Sequence, residues 1–235
     1  IDNNRDKMLQ YLYVVQISCS AYRFGNNRRD GQSHGNKRRK LMQVKEFFNS
    51  VAAEWDAAEK HTAEEIRPLV DLCDIRKTDK VLDLGCGTGI IPALLAERAS
   101  EVVALDIADN MIDIAKAKYA DSNLNVRFVC GDFYTADLPK FDYVVIFNAY
   151  PHFTDSAAFV RRLYEVLRGG GRFAVLHNIG RATLDKHHDN VRDISRSLLP
   201  VDEEKQLFAE LFDIVRAEET QERYILTGTK NEKSI

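Results

Sequence analysis

The sequence predicts an α/β fold: a three-layer sandwich in which a mostly parallel, seven-stranded sheet lies between helices and ends in an antiparallel hairpin. Three observations carry this. Short β-branched or aromatic runs alternate with stretches of helical periodicity, which is the signature of repeated βαβ units. The runs are continuously apolar rather than alternating, as suits strands buried on both faces of a parallel sheet. The last two runs are separated only by EETQE, too short for anything but an antiparallel turn.

The elements follow in order. Leu41, Val44, Phe47, Phe48, Val51 and Trp55 recur at spacings of three and four, an amphipathic helix of about four turns. A second helix opens at the capping-box pair Thr62 and Glu65 and carries Ile66, Leu69, Val70 and Cys73 on one stripe, with Pro68 set to kink it or delay its start. Strands are expected at 81–84, 102–105, 126–130, 143–147 and 172–177, with the hairpin near 212–217 and 223–229. Residues 41–75 are expected to form a helical lid, and residues 179–200 an insert beside the substrate site.

Residues 1–40 read differently. They hold nine Lys or Arg against three Asp, a net charge of +6, and end in the polar NNRRDGQSHGNKRRK. This is expected to be a poorly ordered or non-native basic extension, with a nucleic-acid contact or an organelle address as the functional alternatives. The remaining residues then carry −9 of the overall −3, which disfavours a nucleic-acid partner. The sequence has no apolar run of the roughly 20 residues a membrane span needs. The four cysteines, Cys19, Cys73, Cys86 and Cys130, lie far apart, so a reducing, cytoplasmic setting is expected.

In such a sheet a ligand sits beyond the carboxyl ends of the strands. VLDLGCGTGI places Gly85, Gly87 and Gly89 at the end of the first strand, where glycine lets a ligand approach the main chain. A phosphate-binding P-loop is excluded, because no Lys-Ser/Thr pair follows Gly89. A dinucleotide fingerprint is one position out, because Ile90 stands where the third glycine belongs. Asp106, ending VVALD 21 residues beyond Gly85, suits the ribose of either a dinucleotide or an adenosyl ligand.

Four segments, VLDLGCGTG, VVALDIADNMIDIAKAK, VRFVCGDF and LYEVLRGGGRFAV, resemble in order and spacing the class I S-adenosylmethionine-dependent methyltransferases of the small-molecule, methyltransferase type 11-like branch, whose fold is Rossmann-like. Gly169 departs from the proline common in that turn. The resemblance implies that Asp83, Gly85, Gly87 and Gly89 surround the methionine end of S-adenosyl-L-methionine and that Asp106 holds its ribose. It places Ile107 and Met111 near the adenine face, Asp132 on the adenine amino group and Phe133 beside the ring. Cys86, Gly131 and Asn148 complete the cofactor set. Helix core is an equal alternative for Met111, and a turn acid is the alternative for Asp132.

The family's acceptor meets the methyl group at the segment that here reads FNAYPHF. Asn148, Tyr150 and His152 are its polar candidates, and the paired prolines of base-methylating relatives are missing. Tyr150, His152 and His177 are the catalytic candidates, the histidines as bases with an ordinary pKa near 6.5. His177 is equally read as a structural histidine, and His187 and His188 as helix surface or lid. No metal is expected. Phe47, Phe48 and Trp55 are read as packing residues, with an acceptor pocket as the alternative; Arg181 and Arg192 as solvated charges, with an anionic acceptor as the alternative. The expected activity is in-line methyl transfer to a small-molecule acceptor, leaving S-adenosyl-L-homocysteine, by a monomer or homodimer. An RNA or protein methyltransferase and a non-catalytic cofactor-binding protein are the alternatives.

Overall fold

A computed structural model describes residues 33–59, 61–188 and 192–232. The expected extension therefore lies outside the described residues up to position 32. Helix α1 spans Ser33–Ala58 and α2 Ala63–Asp71. Then come β1 (Lys80–Leu84), α3 (Pro92–Ala96), β2 (Glu101–Asp106), α4 (Asp109–Lys118), β3 (Val126–Cys130) and β4 (Phe141–Phe147). A 3₁₀ turn (Tyr150–His152), α5 (Ser156–Val166), β5 (Leu167–His177), α6 (Arg181–His188), α7 (Val201–Glu204), β6 (Phe212–Glu219) and β7 (Tyr224–Lys230) follow.

The sheet runs β3-β2-β1-β4-β5-β7-β6. Strands β1 to β5 pair in parallel, and β7 lies antiparallel between β5 and β6. Because side chains alternate across a strand, successive residues feed two separate cores. Leu82, Val144, Ile146, Phe173 and Val175 pack under α5 with Phe159 and Leu163. Val81, Val145, Phe147, Ala174 and Leu176 pack under α2 and α3 with Ile66, Val70, Leu94 and Leu95. The capping box forms as expected: Glu65 N donates to Thr62 Oγ1 at 3.3 Å and Thr62 N to Glu65 Oε2 at 2.8 Å.

Two boundaries differ from expectation. Helix α1 begins eight residues before Leu41, through a stretch of Lys and Arg that favours helix but carries no apolar stripe to announce it. The triple-glycine turn is absorbed into β5: Leu167 stands opposite Phe141 and Arg172 opposite Tyr143, so residues 168–171 bulge out against Asp142.

Gly180 fixes the exit from β5. A methyl group there would fall against the carbonyl oxygens of Thr220 and Gln221 in the β6–β7 turn, and Gly180 N donates to Gln221 O. Gly180→Ala is therefore expected to cost about 1–3 kcal/mol, since the obstacle is backbone. A urea midpoint lowered at unchanged slope is the readout, and an unchanged midpoint would contradict the close packing.

Candidate active site

A cleft of about 210 Å³ opens at the carboxyl ends of β1, β2, β3 and β4. Its floor is the loop after β1. Gly85 has φ +76°, and a Cβ there would meet Ala149 Cβ at 2.5 Å, so only glycine brings the loop under the end of β4. Gly85 N and Cys86 N both donate to Leu105 O, which ties the loop to β2. Asp106 takes Gly87 N at 2.9 Å on one carboxylate oxygen and Ala108 N at 2.9 Å on the other. The acid that would read a ribose thus also holds the glycine loop in shape.

Of the expected cofactor residues, Asp83, Gly85, Cys86, Gly87, Asp106, Ile107, Met111, Gly131, Asp132, Phe133 and Asn148 all line the cleft. Gly89 does not. It packs behind the loop, where a Cβ would meet the Tyr119 ring at 3.2 Å and Ala115 at 3.4 Å, so it serves the junction of α4 with the sheet. Met111 and Asp132 each show the structural alternative and also line the cleft. Met111 is fully buried in a cluster with Val44 and Phe47 and also faces the cleft. Asp132 accepts from Tyr134 N at 2.9 Å and Thr135 Oγ1 at 3.1 Å as a turn acid while lining the wall.

Asp83 is left unsatisfied on one oxygen. It is 1% exposed, and its buried Oδ2 has no hydrogen-bond partner among the described residues. Burial, and then the neighbouring Asp106 carboxylate, push its pKa well above the carboxylate range. Burial also raises Asp106, against the backbone donors that lower it. Glu59 adds a fourth carboxylate, and no Lys or Arg is among the described lining residues. Such a cleft favours a ligand that brings positive charge and N–H donors, and the ammonium and sulfonium of S-adenosylmethionine fit that demand.

Helix α1 lies on α4: Asn49 Nδ2 donates to Asp109 Oδ1, Asn110 N donates to Asn49 Oδ1, and Lys45 pairs with Asp109 at 2.8 Å. Phe47 packs inside this contact, whereas Phe48 and Trp55, read as packing residues, face the cleft. Phe153, Ile179 and Leu184 complete an apolar chamber with them. Arg181 is held by Glu219 at 2.8 Å and Asp185 at 3.7 Å, so it pairs within the fold.

The catalytic candidates separate. His152 lines the chamber, its ring edge-on to Phe48 at 4.8 Å and its Nδ1 3.2 Å from Ile194 O. Burial pushes its pKa down to about 4, against the Ile194 contact, so the ring is neutral at physiological pH rather than titrating near 6.5. Tyr150 is a correction: within the 3₁₀ turn its side chain is directed into the core, 0% exposed, with the hydroxyl donating to Glu204 Oε1 at 2.7 Å. Burial drives the Tyr150 pKa further up, away from any base role. His177 is also outside the cleft lining. It shares the α5 face of β5 with Phe173 and Val175, fully buried beside Tyr224, and its pKa is pushed down to about 3 by burial first and by His152 and Arg196 after it. The side chains of His187 and His188 lie outside the described residues.

Asn178 and His61, like Glu59, join the site unforeseen. Asn148, in a left-handed conformation at φ +53°, donates from Nδ2 to Asn178 Oδ1 at 2.8 Å, and Asn178 Nδ2 meets His61 Nδ1 at 3.0 Å. This chain crosses the cleft from the end of β4 to the link between α1 and α2. The strand-end rule applied to β5 points to Asn178; nothing in the sequence marks His61.

Known proteins resemble this chain in sequence and fold. A family model described as a methyltransferase domain matches residues 81–171. Malonyl-[acyl-carrier protein] O-methyltransferase of Acetivibrio thermocellus is 31% identical over 171 residues, 71% of this chain and 58% of that protein. Demethylmenaquinone methyltransferase of Thermus thermophilus is 39% identical over 114 residues, 47% of this chain and 52% of that protein. The chain thus spans between half and three-fifths of the length of these curated relatives. In fold it matches, at a TM-score of 0.67 and 16% identity, a chain from the complex of the Haloferax volcanii Trm112 methyltransferase activator with a methyltransferase, covering 82% of this chain and 99% of that one. Among the described residues no helix is long and apolar enough to cross a membrane. The matched residues carry the glycine loop, Asp106 and Asp132, so residues 81–171 are a methyltransferase domain of the class I S-adenosylmethionine-dependent family.

Proposed function

We propose that this protein transfers a methyl group from S-adenosyl-L-methionine to a small, largely apolar and uncharged acceptor, leaving S-adenosyl-L-homocysteine. The observation that carries the reading is a single cleft lined both by carboxylates, Asp83, Asp106 and Asp132, and by apolar side chains, Phe48, Phe153, Ile179 and Leu184.

In this reading Asp83 accepts from the cofactor's ammonium, Asp106 from its ribose hydroxyls and Asp132 from its adenine amino group. The cofactor supplies an electrophilic methyl on a sulfonium. The chain's own residues hold the acceptor in line and keep water out. Asn148, Asn178 and His61 offer hydrogen bonds in the same cleft. His152 takes the acceptor's proton. A ring with a pKa of about 4 is too weak to ionise a phenol beforehand, but it accepts the proton as the new bond to the methyl makes the acceptor strongly acidic. One relative is named for demethylmenaquinone and another for malonyl-[acyl-carrier protein]. The carboxylate-lined cleft favours the first kind of acceptor, since an anion would meet like charge. The free thiols Cys73, Cys86 and Cys130 agree with work in the reducing cytoplasm.

The test is S-adenosylhomocysteine formation with a metabolite extract, before and after RNase and protease treatment. Turnover that survives both treatments is expected. Loss with RNase would indicate an RNA acceptor, loss with protease a protein acceptor, and cofactor binding without turnover a binding protein.

A further inference from the structure

We propose that the buried Arg196–Glu204 ion pair is a positioning device for His152. It holds the segment after α6 against the 3₁₀ turn, so that the Ile194 carbonyl keeps His152 in the Nδ1–H tautomer and leaves Nε2 as the nitrogen with the lone pair.

Glu204 is fully buried, and its carboxylate is saturated. Oε1 accepts from Arg196 Nη2 at 2.6 Å and from the Tyr150 hydroxyl at 2.7 Å; Oε2 accepts from Arg196 Nη1 at 3.1 Å and from Leu199 N at 3.0 Å. The Arg196 guanidinium also lies over the Tyr150 ring, 4.6 Å from its centroid. Three consecutive residues of the turn are therefore gripped from the other side. Tyr150 is held by Glu204, Pro151 by Arg196 N donating to its carbonyl at 3.0 Å, and His152 by Ile194 O at 3.2 Å. Ile194 lies two residues before the arginine, and its side chain is anchored among Val44 and Phe47 of α1.

A carbonyl oxygen can only accept, so His152 Nδ1 must carry the proton. The tautomer follows from where Ile194 sits, and Ile194 sits where the ion pair holds the chain. Stability alone is a poor reason for such a pair, because removing charges from water costs about what their attraction returns. Arg196 Nε even stays without a partner among the described residues. Placement is the better account: the pair does for His152 what a supporting carboxylate does for a metal-bound or catalytic histidine.

The catalytic consequence rests on the proposed methyl transfer, but the tautomer does not. The experiment is ¹⁵N NMR of histidine-labelled full-length protein with S-adenosylhomocysteine, the His152 signals being assigned by their loss in His152→Asn. The wild type is expected to show Nδ1 protonated and Nε2 unprotonated between about pH 6 and 8. Glu204→Gln is expected to give a mixture of tautomers. With an acceptor from the extract panel it should lower kcat on the order of 10–100-fold at unchanged KM for the cofactor, with Arg196→Lys intermediate because it keeps the charge but not the fork. A wild-type His152 protonated on Nε2 overturns the proposal. So does a Glu204→Gln or Arg196→Lys protein with unchanged tautomer and kcat. Should Glu204→Gln not fold, the wild-type spectrum and Arg196→Lys decide. Failure of cofactor binding would instead remove the functional reading and leave the tautomer standing.

Discussion

Replacing Asp106 with alanine is expected to weaken binding of S-adenosylhomocysteine by at least about a hundredfold, about 3 kcal/mol, as for loss of two hydrogen bonds to a charged acceptor. The carboxylate has two duties, and both are lost. It would accept from the ribose, and it holds Gly87 and Ala108 through their backbone N–H groups. The stability of the ligand-free protein should move far less. Burial raises the Asp106 pKa, so ionising this carboxyl costs the folded state more than the unfolded chain. Removing the carboxylate relieves that cost while releasing two backbone donors. Calorimetry for affinity and urea unfolding for stability separate the two effects. Unchanged affinity in a folded Asp106→Ala protein would contradict the assignment of this cleft to an adenosyl ligand.

The second large effect is expected at His177 and depends on pH. Neither ring nitrogen meets a partner among the described residues, so a neutral imidazole is buried at a cost, and an apolar side chain of similar size removes it. The folded pKa is pushed down to about 3, while the unfolded chain titrates near 6.5. Below pH 6.5 the unfolded state binds a proton that the folded state refuses, so the wild type loses stability as the pH falls towards 3. Each unit in that window costs about 1.4 kcal/mol. His152 acts in the same direction down to about pH 4, and the raised Asp83 and Asp106 act in the opposite one, so the wild-type profile alone isolates nothing. The difference between His177→Leu and wild type does isolate it. The variant should be as stable or more so at pH 7 and gain by about 2 kcal/mol at pH 5. It should keep cofactor binding and turnover, because His177 stands behind the cleft wall. A pH-independent difference would contradict the burial of a neutral ring, and a folded but inactive variant would return His177 to the site.

Much of this site was legible because its decisive residues are local in sequence. Asp106 ends a strand, the glycine loop and Asp132 follow directly on two others, and continuous apolar runs such as Val102 to Leu105 mark strands buried on both faces. What was not legible depends on direction or on distance along the chain. Tyr150 and His152 lie two residues apart, and only the 3₁₀ geometry sends one into the core and the other to the cleft. Gly89 stands in the same motif as Gly85 but faces Tyr119, a ring 30 residues away. His61 meets Asn178 across 117 positions, and the Arg196–Glu204 pair joins the insert to α7 with no periodic signal in either. The start of α1 was invisible for a different reason: its first turns carry charge instead of an apolar stripe.

The most direct test of the central claim is a calorimetric titration of the purified protein with S-adenosylmethionine and S-adenosylhomocysteine on one side and NADH on the other. The cleft's carboxylates, together with Ile90 at the position where a dinucleotide loop needs glycine, lead to micromolar binding of the adenosyl compounds and none of NADH. Binding of NADH with no heat from either adenosyl compound would contradict it.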